Sequence, residues 1–108
     1  MQSDLDRVFH TLADPTRRAV VERLSHGPAP VSELARDFSM ALPSFLQHLR
    51  VLENAGLVRS TKTGRIRTCR LNPHRLQKAQ TWLEKQRAQW GRRLDQLDAY
   101  VITLREKS

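Results

Sequence analysis

The sequence predicts a mainly α-helical fold with one small β-hairpin, a winged helix-turn-helix. Three observations carry this reading. Residues 31–55 hold two short helical patterns joined only by Ser39–Met40–Ala41. After Gly56 the apolar period changes from about 3.6 to about 2, and it returns to a helical period after Pro73. Finally, 19 Lys and Arg stand against 11 Asp and Glu, a net charge of +8 that favours a polyanionic partner. At 108 residues the chain is expected to form one domain spanning 1–108. Within it, the helix-turn-helix is expected at 31–55, the wing at 57–71 and a C-terminal helix at 73–105.

Each element has its own signal. From Ser3 to Leu12, Leu5, Val8, Phe9 and Leu12 recur at spacings of three and four and define a first amphipathic helix. Asp14-Pro15 pairs a good N-cap with a proline suited to the first helical position, so a second helix starts at Pro15. It turns Ala19, Val20, Val21 and Leu24 inward and stops at Gly27. Pro28 and Pro30 flank a short stiff connection. A third helix, Val31–Phe38, buries Val31, Leu34 and Phe38. The fourth, Leu42–Ala55, buries Phe45, Leu49 and Leu52.

Two β-rich runs follow, Leu57–Thr61 and Ile66–Leu71, with a tip at Lys62–Arg65 containing Gly64. A hairpin after a helix-turn-helix makes a wing. Pro73 opens the last helix, to about Arg105, on which Leu76, Leu83, Trp90, Leu97 and Leu104 are spaced by seven. Ala79, Leu94 and Val101 broaden that stripe, which calls for a partner helix. Gly91 and Gln86 interrupt it and argue against a long free coiled coil.

Other classes find no support. Cys69 is the only cysteine, which excludes an internal disulfide and a Cys-built metal site. The acidic N-terminus is unlike a signal sequence, and no apolar run approaches a membrane span, so a cytoplasmic protein is expected. There is no Gly-rich phosphate loop and no nucleophile with a paired base, so no catalytic residue is assigned and no enzyme is expected.

The exposed arc of the fourth helix supplies the candidate DNA contacts. Pro43, Gln47, Arg50 and Asn54 fall on one side of it at about 100° per residue. Gln47 is the candidate base reader, its amide suited to adenine N6 and N7. Ser44 and the helix N-terminus near Leu42 suit phosphate oxygens. Arg50 either holds backbone phosphate or is a plain surface charge. Leu46 either touches a thymine methyl or packs against the third helix. His48 borders the buried arc and is expected to make a structural hydrogen bond. At the wing Lys62, Arg65 and Arg67 suit minor-groove or phosphate contact. Alternation leaves Arg67 a second option, along its own core. Arg17 and Arg18 are expected in an ion pair within the fold. Trp82 and Trp90 face either a dimer seam or a pocket for an apolar effector.

The ordered series His10-Thr-Leu-Ala-Asp-Pro-Thr-Arg-Arg18, Val31-Ser-Glu-Leu-Ala35, Leu42-Pro43, His48-Leu-Arg-Val-Leu-Glu53 and Ala55-Gly-Leu-Val58 resembles the ArsR/SmtB family of bacterial winged-helix transcriptional regulators. Gly64-Arg65 and Arg70-Leu-Asn-Pro73 extend the match, which spans roughly residues 5 to 75. The resemblance implies a homodimer joined through its first and last helices, binding pseudo-palindromic operators and usually repressing. The interface would then draw on Leu5, Phe9, Leu83, Trp90, Leu94 and Leu97. At position 46 the family commonly has a small hydroxyl residue, and at position 69 often an aromatic; Cys69 is expected as a small buried thiol.

The resemblance does not extend to the family's metal sites. Positions that bear cysteines in one family site hold Pro30, Ser32 and Ala35 here. The ligand positions of another hold Asn72, His74, Lys85 and Ala88, and a lone histidine does not make a tetrahedral zinc site. No metal or other cofactor is therefore expected. The expected partners are double-stranded operator DNA, on the bacterial nucleoid, a second copy of the chain and a small-molecule effector if one exists. The competing readings are a protein-interaction module on a winged-helix scaffold and a repressor with an atypical effector site.

Overall fold

The computed structural model describes residues 3–107, in which five helices pack around a small three-stranded antiparallel sheet. The first helix, α1 (Asp4–Leu12), starts where the Ser3 hydroxyl accepts the Asp6 backbone N–H at 3.1 Å. Asp4 and Asp6 in its first turn complement the positive end of the helix dipole. In α2 (Pro15–Leu24) the Asp14 carboxylate accepts the Arg17 N–H at 3.0 Å, and Pro15 gives up no hydrogen bond at the first helical position. This helix ends three residues before Gly27, because the Ser25 hydroxyl and the turn at Ser25–His26 satisfy its last carbonyls.

The connection containing Pro28 and Pro30 is more than a stiff link. Ala29–Pro30 forms β1, paired with Cys69 and Thr68 of the returning wing strand. Two residues are too few to show alternation. Proline, which has no N–H for a ladder, is tolerated here because β1 lies at the sheet edge. α3 (Val31–Arg36) is two residues shorter than its apolar pattern. Leu34 is buried, whereas Phe38 leaves the helix and stacks half-buried on Phe45 at 5.3 Å between ring centroids.

α4 (Leu42–Asn54) buries Phe45, Leu49 and Leu52 as its periodicity requires. Together with Val8, Val20, Leu24, Leu34, Leu57 and Val58 they form the core that fixes α4 against α2 and the sheet. Strands β2 (Val58–Thr63) and β3 (Ile66–Leu71) pair in register from Val58 opposite Leu71 to Thr63 opposite Ile66. Lys62 and Thr63 thus belong to the strand, and the tip shrinks to Gly64–Arg65. Gly64 has φ +63° there, the left-handed geometry that the first residue of a two-residue hairpin loop requires.

Two contacts anchor the last helix, α5 (Pro73–Lys107), to this body. Asn72 donates its side-chain N–H to the Gly56 carbonyl at 2.9 Å and its backbone N–H to Leu57 at 2.8 Å, tying the start of α5 to the end of α4. Arg75 and Lys78 both pair with Asp4 of α1. Their hydrogen bonds, Arg75 foremost, hold the Asp4 carboxyl below its ordinary 3.8. Gly56 at φ +76° leaves room for the Arg75 side chain, which would lie 2.9 Å from an added Cβ.

Beyond that anchorage α5 runs on without a break. Its 35 residues make a rod about 52 Å long, which stretches the molecule to 74 × 29 × 26 Å. Gly91 does not interrupt it, since one glycine costs a helix only about 1 kcal/mol. Ala79 is its one buried residue among those described. Trp82, Leu83, Trp90, Leu94, Leu97 and Leu104 are all exposed.

Candidate nucleic-acid interface

Burial of Phe45, Leu49 and Leu52 decides which side of α4 is turned outward. Leu42, Pro43, Ser44, Gln47, Arg50 and Asn54 are exposed, and Leu46 is half-buried against the core. Leu42, Pro43, Leu46, Gln47 and Arg50 line one shallow recess of about 350 Å³. The helix begins at Ala41 with no side-chain cap, no acidic residue in its first turn and Pro43 near its start. Its first free N–H groups, at Leu42 and Ser44, are therefore open to an anion.

The neighbouring side chains that border this face are held from behind. His48 lies 3.4 Å from an Arg17 guanidinium nitrogen and 3.7 Å from the Asp14 carboxylate, so it is a structural link between α4 and the start of α2. The Arg17 backbone N–H, foremost, holds the Asp14 carboxyl below its ordinary 3.8, and the charges of His48 and Arg17 add to this. Arg17 and Arg18 do not chiefly make ion pairs. Arg17 donates to the carbonyls of Thr11 (2.7 Å) and His10 (3.3 Å), and Arg18 to those of Leu12 (2.8 Å) and Ala13 (3.0 Å). The last carbonyls of α1 are the acceptors, and a helix C-terminus favours cations there.

On the wing, register separates the basic residues. Arg65 sits exposed in the tip beside Gly64. Lys62 lies opposite Arg67 on the face that carries Cys69 and Leu71. Arg67 is engaged within the fold: it pairs with the Glu53 carboxylate, while its Nε donates to Ser60 Oγ at 3.0 Å and Ser60 donates to Glu53 at 2.9 Å. Its guanidinium braces the wing against α4. Sequence reasoning missed Glu53 and Ser60, although strand alternation places Ser60 and Arg67 on one face. It also missed Ile66, 58% exposed beside the tip of the wing, and the facing pair Arg59 and Arg70. Like charges opposed in a ladder repel, and a polyanion against them would relieve that cost.

Cys69 is fully buried, and burial, with a smaller contribution from the Glu53 charge, pushes its thiol above the ordinary 9.0. It is a packing residue. Among the described residues no three His, Cys, Asp or Glu side chains gather in a way that could hold a metal ion. Asn72, at a position where the resemblance would place a ligand, is spent on the Gly56 carbonyl.

The face expected to meet a partner copy is partly formed. Phe9 packs edge-on to Trp82 at 5.5 Å, and Leu5 is half-buried against its own core. Leu83, Trp90, Leu94 and Leu97 stand 52–60% exposed along α5. Arg93 lies over the Trp90 ring at 5.9 Å. Phe9, Leu12, Leu76, Ala79 and Leu83 line an open groove of about 490 Å³ between α1 and α5. Among the described residues, no helix is long and apolar enough to cross a membrane.

Comparison with known proteins agrees with this geometry. A helix-turn-helix domain family matches residues 12–61, from the end of α1 into β2. The chain is 48% identical over 80 residues to the HTH-type transcriptional regulator Rv2034 of Mycobacterium tuberculosis, covering 74% of this chain and 75% of that protein. An ArsR family transcriptional regulator of known crystal structure is 50% identical, with a TM-score of 0.76 over 82% of this chain and 91% of that one. The homodimeric winged helix-turn-helix DNA-binding domain of a possible ArsR-family regulator from Mycobacterium bovis, solved by NMR, superposes with a TM-score of 0.59. It is 26% identical and covers 63% of each chain.

Proposed function

Since the chain belongs to the ArsR family of winged helix-turn-helix transcriptional regulators, we propose that it is a homodimeric repressor that reads a pseudo-palindromic operator without using a metal signal. The family is one of regulators and not of enzymes. The observation that carries the proposal is the outward face of α4, uncapped at its N-terminus and bearing Gln47 and Arg50, beside a wing with basic residues on both strands. In this reading α4 enters the major groove, with Gln47 on a base edge, and Ser44 and Arg50 on phosphates. Arg65 and Lys62 reach the flanking backbone, while Arg67 acts through the position of the wing.

The second copy follows from α5. Its apolar stripe is continuous with the α1–α5 groove through Leu76 and Leu83, so a partner's helices, rather than a small effector, are the natural cover for both. The homodimeric state of the Mycobacterium bovis domain supports the presence of a second copy. Two copies present two recognition helices to half-sites about 10 bp apart, and a dimer seated there excludes other proteins from that stretch of promoter. Metal sensing finds no support in a buried, protonated Cys69 or in an Asn72 already hydrogen-bonded.

Selection from randomised double-stranded DNA at near-physiological salt tests the proposal, run with zinc and with chelator. The expected product is a pseudo-palindrome with half-sites about 10 bp apart, unchanged by zinc. Weak, salt-sensitive binding with no enriched sequence would overturn it in favour of a protein-interaction module.

A further inference from the structure

The outward face of α4 is not simply polar. Leu42 is 53% exposed at its first turn and Ile66 is 58% exposed beside the tip of the wing. With Leu46, Pro30 and Val31 they line a recess of about 370 Å³ between α3, α4 and β3. Arg65 and Arg67 form its basic rim, and Arg50 borders the adjoining recess that shares Leu42 and Leu46. Exposing branched aliphatic side chains costs free energy in water, and a surface meant only for phosphate would carry polar residues there.

We infer that this recess takes the C5 methyl groups of thymine, so that Leu42 and Leu46 are specificity-determining residues and the operator half-site carries thymines where they dock. The inference rests on the operator-reading function proposed above. Its occupant is fixed by three features. The recess shares Leu42 and Leu46 with the adjoining one that Gln47 lines, it is rimmed by arginines and not by carboxylates, and it is continuous with the uncapped end of α4. Apolar side chains in a major groove have one apolar target, the thymine methyl. Leu42 and Leu46 are one helical turn apart, about 6 Å along the axis, which places them one or two base pairs apart. Gln47 beside them suits adenine, so the three together describe an A·T-rich half-site.

The first arm of the test needs only the operator recovered by selection and the unaltered protein. Each thymine is replaced singly by deoxyuridine, which removes the methyl and leaves every hydrogen-bonding group. At one or two positions per half-site the Kd is expected to rise about fourfold, the scale of withdrawing one methyl group from an apolar contact. Leu42→Ala, at an exposed position that leaves the fold intact, is expected to bind the thymine and deoxyuridine operators alike at one of these positions. Leu46→Ala, with folding checked by its thermal melt, is expected to do so at the other. A flat deoxyuridine series on an operator that is tightly bound would overturn the inference and leave the regulator reading standing. If Leu42→Ala also leaves operator affinity unchanged, the recess belongs to another partner. Failure of selection to enrich any sequence would overturn both readings together.

Discussion

Gln47 and Arg65 stand for two kinds of contact that one protein–DNA surface must combine. Gln47 lies mid-helix on the exposed arc of α4, and Arg65 lies at the hairpin tip, on the rim of the recess that Leu42 and Leu46 line. Gln47→Ala is expected to cost about 1–3 kcal/mol of operator affinity and to relax preference at one base position. Arg65→Ala is expected to weaken all sequences alike and to reduce the slope of log K against log salt by about one. Titrations of both variants on matched and mismatched operators over a salt series check this. Identical behaviour of the two would remove the distinction between base reading and phosphate contact. The spacing of Pro43, Gln47 and Arg50 was legible because a helix repeats every 100° or so and its buried side was evident. The engagement of Arg67 was not, because its carboxylate partner Glu53 belongs to α4 and no local pattern joins it to position 67.

At the scale of elements, the caps decide where helices begin, and one of them is sensitive to acid. Asp14 accepts the Arg17 N–H at the start of α2 and also faces His48, so it sets the register of α2 against α4. A carboxyl held below its ordinary value adds stability that is fully present above the unfolded value, near 3.8, and is lost as pH falls through the lower folded one. Unfolding of the wild type is therefore expected to become easier below about pH 4, with Asp4 contributing in the same direction. Asp14→Asn keeps a good cap without a charge and should flatten part of that decline, whereas Asp14→Ala should cost about 1 kcal/mol already at neutral pH. Urea unfolding from about pH 6 to about pH 2 distinguishes the three proteins; parallel curves for wild type and Asp14→Asn would show that the cap carries no pH dependence. The same caps made α1 and α2 readable, since Ser3 and Asp14-Pro15 are local signals. Strand β1 was hidden because two residues show no period, one of them is proline and another proline precedes them. The early end of α3 was hidden because Phe38 continues the apolar pattern while its ring is used on Phe45 outside the helix.

For the whole molecule, the governing fact is a helix longer than the body it springs from. Folding buries Ala79 of α5, and beyond it Leu83, Trp90, Leu94, Leu97, Val101 and Leu104 face solvent in a single chain. The spacing by seven made the stripe visible, but only the structure shows that Gly91 leaves the rod continuous and Leu5 turned to its own core. A dimer through α5 would bury the stripe and fix two copies of α4 about 34–36 Å apart, one turn of DNA, whereas a monomer presents one half-site reader. Glutamate in place of Leu94 and Leu97 together puts charge into that seam without touching the core or the α4 face. The expected result is a monomer by analytical ultracentrifugation, helical by circular dichroism and still able to bind DNA weakly. Its operator affinity should fall by about a thousandfold, to the range in which sequence no longer counts for much. Retention of the dimer would place the seam elsewhere on the molecule. A monomer with undiminished operator affinity would mean that one recognition helix and its wing suffice, and the pseudo-palindrome would then have no protein symmetry to mirror.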